Sequence, residues 1–259
     1  MTVPIITYHA IADQPSPLFV SPHTFDLHLR MLSEAGWHTT SLHTVADCLK
    51  RGLPLPEKAV VITFDDGYAS VFSDAWPRLQ AYGFTATVFL ISDYCGRDNQ
   101  WPGQPASVPT CPLMTWEQAA EMGAAGCEMG AHTRTHRALP TLPAAQAEDE
   151  IAVSQQVIQQ ETGQSVDIFA QPYGATNVSV DALVRRYFEG AASTYLGLVR
   201  GQTNRYALER VDAFYLTPYW LRRLDSRLFE QYLRLRQGLR TVRRQFRPDW
   251  NPSKSAVHG

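Results

Sequence analysis

Short apolar runs and helical periods alternate along this chain from one end to the other. Val3 to Tyr8 reads as a strand. After a proline- and serine-rich loop, Phe25, Leu29 and Leu32 keep helical spacing within Pro22 to Ala35, and Gly36 closes the helix. Trp37 to Ser41 is a weaker strand and Leu42 to Arg51 a second helix. Ala59 to Phe64, AVVITF, is the pattern of a strand buried on both faces, as in a parallel sheet. Further strands are predicted at Phe84 to Ile91, Cys127 to Ala131, Val166 to Ala170, Gly190 to Thr194 and Tyr206 to Phe214. Helices are predicted at Ser73 to Tyr82, Thr115 to Gly123, Ala144 to Glu161 and Val180 to Tyr187. Thr115 followed by Gln118 makes a capping signal. Such alternation predicts parallel strands joined by crossover helices. The fold expected is α/β: a single distorted (β/α) barrel of about seven or eight parallel strands over residues 1–219, with an open doubly wound sheet as the alternative.

Two segments break the pattern. Ser92 to Pro112 is too long for a plain connection, and loops of that kind are usually lids or binding walls. Its Trp101 is suited to stacking on a sugar ring or to covering the edge of the core. From Trp220 to Arg247 there are nine arginines against only Asp225 and Glu230. There Leu221, Leu224, Leu228, Leu235, Leu239, Val242 and Phe246 read as one helical stripe. It predicts a basic amphipathic helix that packs on the barrel or meets anionic lipid or an acidic partner. Residues 220–259 are thus expected to be an arginine-rich helical extension with a disordered end from Pro248.

Composition narrows the classes. The 259 residues, 44% hydrophobic and 19% charged, suffice for one large core. A net charge of −2 argues against nucleic acid as a partner of the whole chain. No apolar run approaches the roughly 18 residues of a membrane span. The opening MTVPIITYHA runs straight into a strand with no signal-like n-region, although a chain already relieved of a signal would read the same. The four cysteines show no CxxC spacing, so a cysteine metal site is not expected, and a cytoplasmic location would keep them reduced.

The candidate chemistry gathers where strands end. AVVITF delivers Asp65, Asp66 and Gly67, and two carboxylates at a buried strand end repel unless a cation holds them. His132 and His136 follow another strand, four residues apart. One carboxylate with these two histidines makes a three-ligand site for one divalent ion, zinc (Zn²⁺) first. His9 and Tyr173 also follow strands, and in a barrel those ends share the face where active sites are built.

TFDDG, HTRTH and FAQPYG together resemble the motifs of the polysaccharide deacetylases with the NodB-homology fold, carbohydrate esterase family 4. The resemblance runs through roughly residues 1 to 215, from YHA to LERVD. It implies metal-dependent hydrolysis of N-acetyl groups on N-acetylglucosamine-type sugars. Carried over, Asp66, His132 and His136 are the metal ligands, Asp65 is the general base, and the Tyr173 amide serves the oxyanion hole. Amide hydrolysis independently requires an activated water, donors for the oxyanion and an acid for the leaving amine. Pro172 cannot donate, so the turn's N–H comes from Tyr173. Pro172, Tyr173 and Trp101 are the residues expected against substrate.

The sequence departs from the family pattern twice. Ala170 stands where an arginine usually orients the base, and Arg210 on the last strand is the replacement candidate. The usual late histidine is missing, because after His136 only His258 remains. Tyr8-His9 resembles the early motif of circularly permuted poly-N-acetylglucosamine deacetylases. In a closed barrel the first strand adjoins the last, so His9 is the expected acid, with Asp212 as its speculative partner. An imidazole's ordinary pKa of about 6.5 suits that work.

The function expected is metal-dependent N-deacetylation of an amino-sugar polymer or its lipid-linked oligosaccharide precursor. A cytoplasmic enzyme held peripherally at the inner membrane would suit exopolysaccharide biosynthesis. The alternatives are an amidohydrolase of the same fold acting on a small cyclic amide, and an inactive sugar-binding relative. An Fe(II) oxygenase is disfavoured, because its acid closely follows the first histidine and here the acid comes long before.

Overall fold

The computed structural model describes residues 1–246, with side chains to residue 242. The expected disordered end and His258 lie outside the described residues. Eight strands carry the main sheet: β1 (Ile5–Tyr8), β2 (His38–Thr39), β3 (Ala59–Phe64), β4 (Thr87–Leu90), β5 (Glu128–Ala131), β6 (Ile168–Ala170), β7 (Gly190–Leu196) and β8 (Leu208–Asp212). Seven of them close a parallel barrel in the order β1–β8–β7–β6–β5–β4–β3, with β3 returning to β1.

The weak strand read at Trp37 to Ser41 explains why the barrel closes with seven. β2 spans only two residues and pairs with the start of β3, His38 with Ala59 and Thr39 with Val60. Val61 N–H points to Pro4 O on the β1 edge, while Val60 O receives Thr40 N–H on the other edge. Successive strand residues bond to opposite neighbours, so β2 lies on the β4 side, where β3 and β4 have not yet met. It fills a splay and leaves the ring intact.

Helices α1 (Pro22–Glu34), α2 (Leu42–Arg51), α3 (Trp76–Ala81), α4 (Trp116–Ala124), α5 (Ala144–Thr162) and α6 (Val178–Tyr187) surround the barrel. Their starts are fixed locally: Ser21 and Ser41 cap α1 and α2, and Thr115 with Gln118 forms a capping box on α4. The helix expected from Ser73 begins instead with a wide turn at Val71–Ala75, because Pro77 occupies the first turn of α3.

The alternation of strand residues yields two cores. Ile5, Val61, Phe89, Ile168, Ala170, Ala192 and Leu208 fill the barrel together with Leu42, Val45 and Ala46 of α2, while their strand neighbours pack outward against helices. Helix α2 therefore seals the end of the barrel where strands begin. Glu128 fixes it there by accepting from Leu42 N–H and His43 N–H, both at 3.0 Å. The other end is left for chemistry.

The C-terminal helix differs from its prediction. It is divided into α7 (Pro218–Leu221) and α8 (Arg227–Phe246). Leu221, Leu224, Phe229 and Leu233 are buried in the outer core, whereas Leu228, Leu235, Leu239 and Val242 are more than half exposed. The single stripe read from the sequence thus combines two faces. Leu228 and Phe229 are 100° apart on a helix, and contact with the barrel selects Phe229. Among the described residues no helix is long and apolar enough to cross a membrane.

Candidate active site

β3 ends at Phe64, and Asp65 N–H still pairs with Tyr8 O at 3.0 Å, so the first carboxylate is held by the barrel itself. Asp66 then turns into the left-handed region (φ +71°) and Gly67 follows at +70°. A side chain on Gly67 would meet Leu90 Cδ2 at 2.8 Å, so the turn needs glycine. The two adjacent carboxylates thereby face different partners.

Asp66 Oδ1 lies 3.4 Å from Nε2 of both His132 and His136. These ligand atoms fall within 4.8 Å of one another and all three residues are buried. The opposite nitrogens are engaged: His132 Nδ1 with Ala170 O at 2.7 Å, and His136 Nδ1 with the Tyr173 hydroxyl at 3.1 Å. Two rings held by Nδ1 leave both Nε2 atoms free toward Asp66. A carboxylate with two such nitrogens fits one divalent ion. Burial pushes the His136 imidazole down to about 3, so it is neutral as a ligand must be.

The loop between the histidines is strained and heavily braced. Among the described residues five non-glycine residues have positive φ: Thr133 and His136 belong to this loop, and Asp66 and Tyr173 lie beside it. Strain of this kind persists only where surroundings impose it. Glu150 of α5 imposes much of it, accepting from Arg134 N–H and Thr135 N–H at 2.9 Å each and from the Thr135 hydroxyl at 2.5 Å. Arg134 is also tied to Asp93 and Asp149.

Asp65 has a different environment. Arg210 donates twice to its carboxylate, at 2.7 and 2.8 Å, and a third bond to Ser193 O fixes the guanidinium. Burial alone would raise the Asp65 carboxyl, but the Arg210 charge and hydrogen bonds, with His9 and His132 nearby, hold it below the ordinary carboxylate value. His9 Nε2 is 4.0 Å from Asp65 Oδ2, and the His9 side chain is 21% exposed.

Not every expected contact forms. Asp212 accepts from Phe214 N–H at 2.9 Å, and among the described residues no hydrogen bond joins it to His9. Trp101 presents no open face, being 3% exposed with its ring 4.6 Å from that of His136. Pro172 and Tyr173 lie in one 3-10 turn beside the histidines. Sequence reading missed Glu150 and the Tyr173 hydroxyl. Glu150 did leave a signal: an acid on the stripe of Ala147, Ile151 and Ile158 of α5.

Residues 52–187 match the family model described as polysaccharide deacetylase. The chain belongs to the polysaccharide deacetylase family. It is 30% identical over 210 residues to YxkH of Bacillus subtilis (strain 168), which carries the same family name; the match covers 81% of this chain and 70% of YxkH. It is 31% identical over 134 residues to the poly-β-1,6-N-acetyl-D-glucosamine N-deacetylase of Escherichia coli (strain K12), covering 49% of this chain and 20% of that one. The structure of IcaB from Ammonifex degensii superposes with a TM-score of 0.72 at 25% identity, over 86% of this chain and 95% of IcaB. This polysaccharide deacetylase is accordingly a hydrolase on a (β/α) barrel.

Proposed function

We propose that the enzyme removes N-acetyl groups from N-acetylhexosamine units of a polysaccharide or its lipid-linked precursor, in exopolysaccharide synthesis, using one divalent ion, zinc by its donor set. The observation that carries this reading is the division of labour between the adjacent carboxylates, Asp66 toward two histidines and Asp65 toward Arg210. The printed name of the Escherichia coli relative supports the sugar class. An ion held by Asp66, His132 and His136 supplies Lewis acidity and a water of lowered pKa. Asp65 accepts the proton of the attacking water, and the arginine clamp keeps it ionised and aimed. The Tyr173 amide donates to the oxyanion. His9, whose Nε2 lies 4.0 Å from Asp65 Oδ2, gives its proton to the leaving nitrogen. Arg210 does from β8 what the family arginine would do from the position of Ala170.

The test is acetate release from a panel of acetylated oligosaccharides, with metal content measured on the same sample. Release only from small cyclic amides, or sugar binding without release at any metal loading, would overturn the reading.

The exposed face of α8 completes it. Leu228, Leu235, Leu239 and Val242 line up with arginines on either side, a pattern suited to anionic lipid at the cytoplasmic face of the inner membrane. Leu235→Glu with Leu239→Glu leaves the buried Phe229 and Leu233 untouched. This variant is expected to stop sedimenting with anionic vesicles; unchanged sedimentation rules out the contact.

A further inference from the structure

The two walls of the barrel mouth differ in the space they leave. On the histidine side, the segment between β4 and α4 closes in. Trp101 rests on His136 and, at 5.8 Å, on Tyr94, and Asn99 Nδ2 ties the segment to the Tyr68 hydroxyl at 3.2 Å and to Pro109 O at 3.0 Å. On the His9 side, two adjoining concavities of about 150 and 480 Å³ open, and the smaller is lined by His9 itself. They share Phe19, Val20, Ala213 and Phe214, and so form one groove running away from the site. The larger lies within the roughly 300–1,000 Å³ of small-molecule sites.

Phe214 stands on the shared wall with 71% of its surface exposed. An exposed phenylalanine needs no explanation by itself. The backbone beneath this one is anchored by the Phe214 N–H bond to Asp212, and its ring is set edge-on to Tyr215 at 5.6 Å. An open ring at the wall of a groove is a platform for the apolar C–H face of a pyranose. The charges agree. Asp13 and Asp212 line the groove and, among the described residues, no lysine or arginine does. Burial pushes His28, at the groove floor, down to about 4, so it adds no positive charge at neutral pH. Such a lining accepts neutral N-acetyl sugars and the cationic amines left by deacetylation, and disfavours uronate or phosphate polymers.

We infer that the sugar units flanking the acetylated one occupy this groove with Phe214 as their stacking platform, so that the polymer leaves the site on the His9 side. The inference rests on the amino-sugar reading above. It makes the enzyme sensitive to chain length, with the flanking units held on the His9 side.

The test compares N-acetylglucosamine with its β-1,6-linked trimer and pentamer. The readouts are kcat/KM for acetate release and calorimetric binding to the zinc-loaded protein. Wild type is expected to favour the pentamer, chiefly through KM. Phe214→Ala, at an exposed position where folding is not at stake, is expected to cut the pentamer-to-monomer ratio of kcat/KM about tenfold, the size of one aromatic contact. Pentamer binding should weaken by the same factor, and an oligouronate of equal length should not compete. A variant ratio equal to wild type, or a wild type indifferent to length, overturns the inference. Pentamer binding that depends on Phe214, without acetate release from any substrate, would uphold the groove and overturn the deacetylase reading.

Discussion

On the histidine side of the barrel mouth, the backbone of the histidine loop and both imidazoles are held by buried partners. Glu150 receives three hydrogen bonds, both Nδ1 atoms are engaged, and Trp101 covers the outside. On the other side His9 stands part-exposed above a groove, and its neighbour Tyr8 reaches down to a single buried base, His28, at 2.9 Å. The contrast fits the two tasks proposed above. A loop with strained φ at Thr133 and His136 keeps its geometry only when over-determined. On the proposed function His9 is an acid that must recover its proton from water after each turnover, and such a group has to stay open. Asp65 and Arg210 stand at the seam between the two.

The largest effects should separate these roles. Asp66→Ala, His132→Ala and His136→Ala are expected to lose the ion and turnover together; full metal occupancy in all three would end the assignment. Asp65→Asn and His9→Ala are expected to keep the ion and lose about 10² to 10⁴ in turnover, the usual worth of a base or acid. If metal content falls in either variant, the two sides are not separate in function.

A second measurement addresses the support beneath the open side. His28 is buried and neutral, its Nδ1 accepting from the Tyr8 hydroxyl, and its pKa lies at about 4 in the folded chain against about 6.5 unfolded. As pH falls below about 6.5 the unfolded chain takes up the proton first. The stability this histidine contributes is therefore complete above that pH and lost as pH approaches 4, about 3 kcal/mol in all. Urea midpoints at pH 7 and pH 4.5 should diverge for wild type and converge by most of that amount in His28→Gln. An equal pH dependence in both proteins would show that His28 is not buried neutral.

Much of this was legible because it is local. AVVITF gave a buried strand, Thr115 and Gln118 a helix start, and HTRTH with DDG a cluster able to hold an ion, each motif written within a few residues. Arg210 was reachable only by noticing what Ala170 lacked. The choice between seven and eight strands in the ring was not legible, since the shortness of β2 shows itself only when β3 and β4 diverge. Nor was the choice between Leu228 and Phe229, which depends on where the barrel surface lies. Glu150 and His28 share one overlooked sign: each is a polar residue beside the apolar positions of a buried helix stripe, Ala147–Ile151–Ile158 for one and Phe25–Leu29–Leu32 for the other. A group that breaks a stripe and is still buried has a partner elsewhere.

That sign leads to the smallest predicted effect, and the one that bears most directly on why the histidine side is closed. Glu150 touches no ligand atom, yet its carboxylate gathers the donors of Arg134 and Thr135, the two residues immediately before His136. An amide in its place keeps the shape and can still accept from both N–H groups, with its NH₂ turned to the Thr135 hydroxyl, but the charge that strengthens these bonds is gone. Glu150→Gln should therefore loosen the loop without emptying the core, and zinc affinity is expected to fall about 10- to 100-fold, as for changes in groups that orient metal ligands. Calorimetric zinc titration of the metal-free protein reads this apart from catalysis. Urea unfolding in chelator reads stability apart from the metal. A loss of affinity alongside a nearly unchanged metal-free midpoint identifies Glu150 as a positioning residue. Unchanged affinity would mean that His132 and His136 are held by their Nδ1 partners alone, and that the bracing of the loop serves the fold and not the ion.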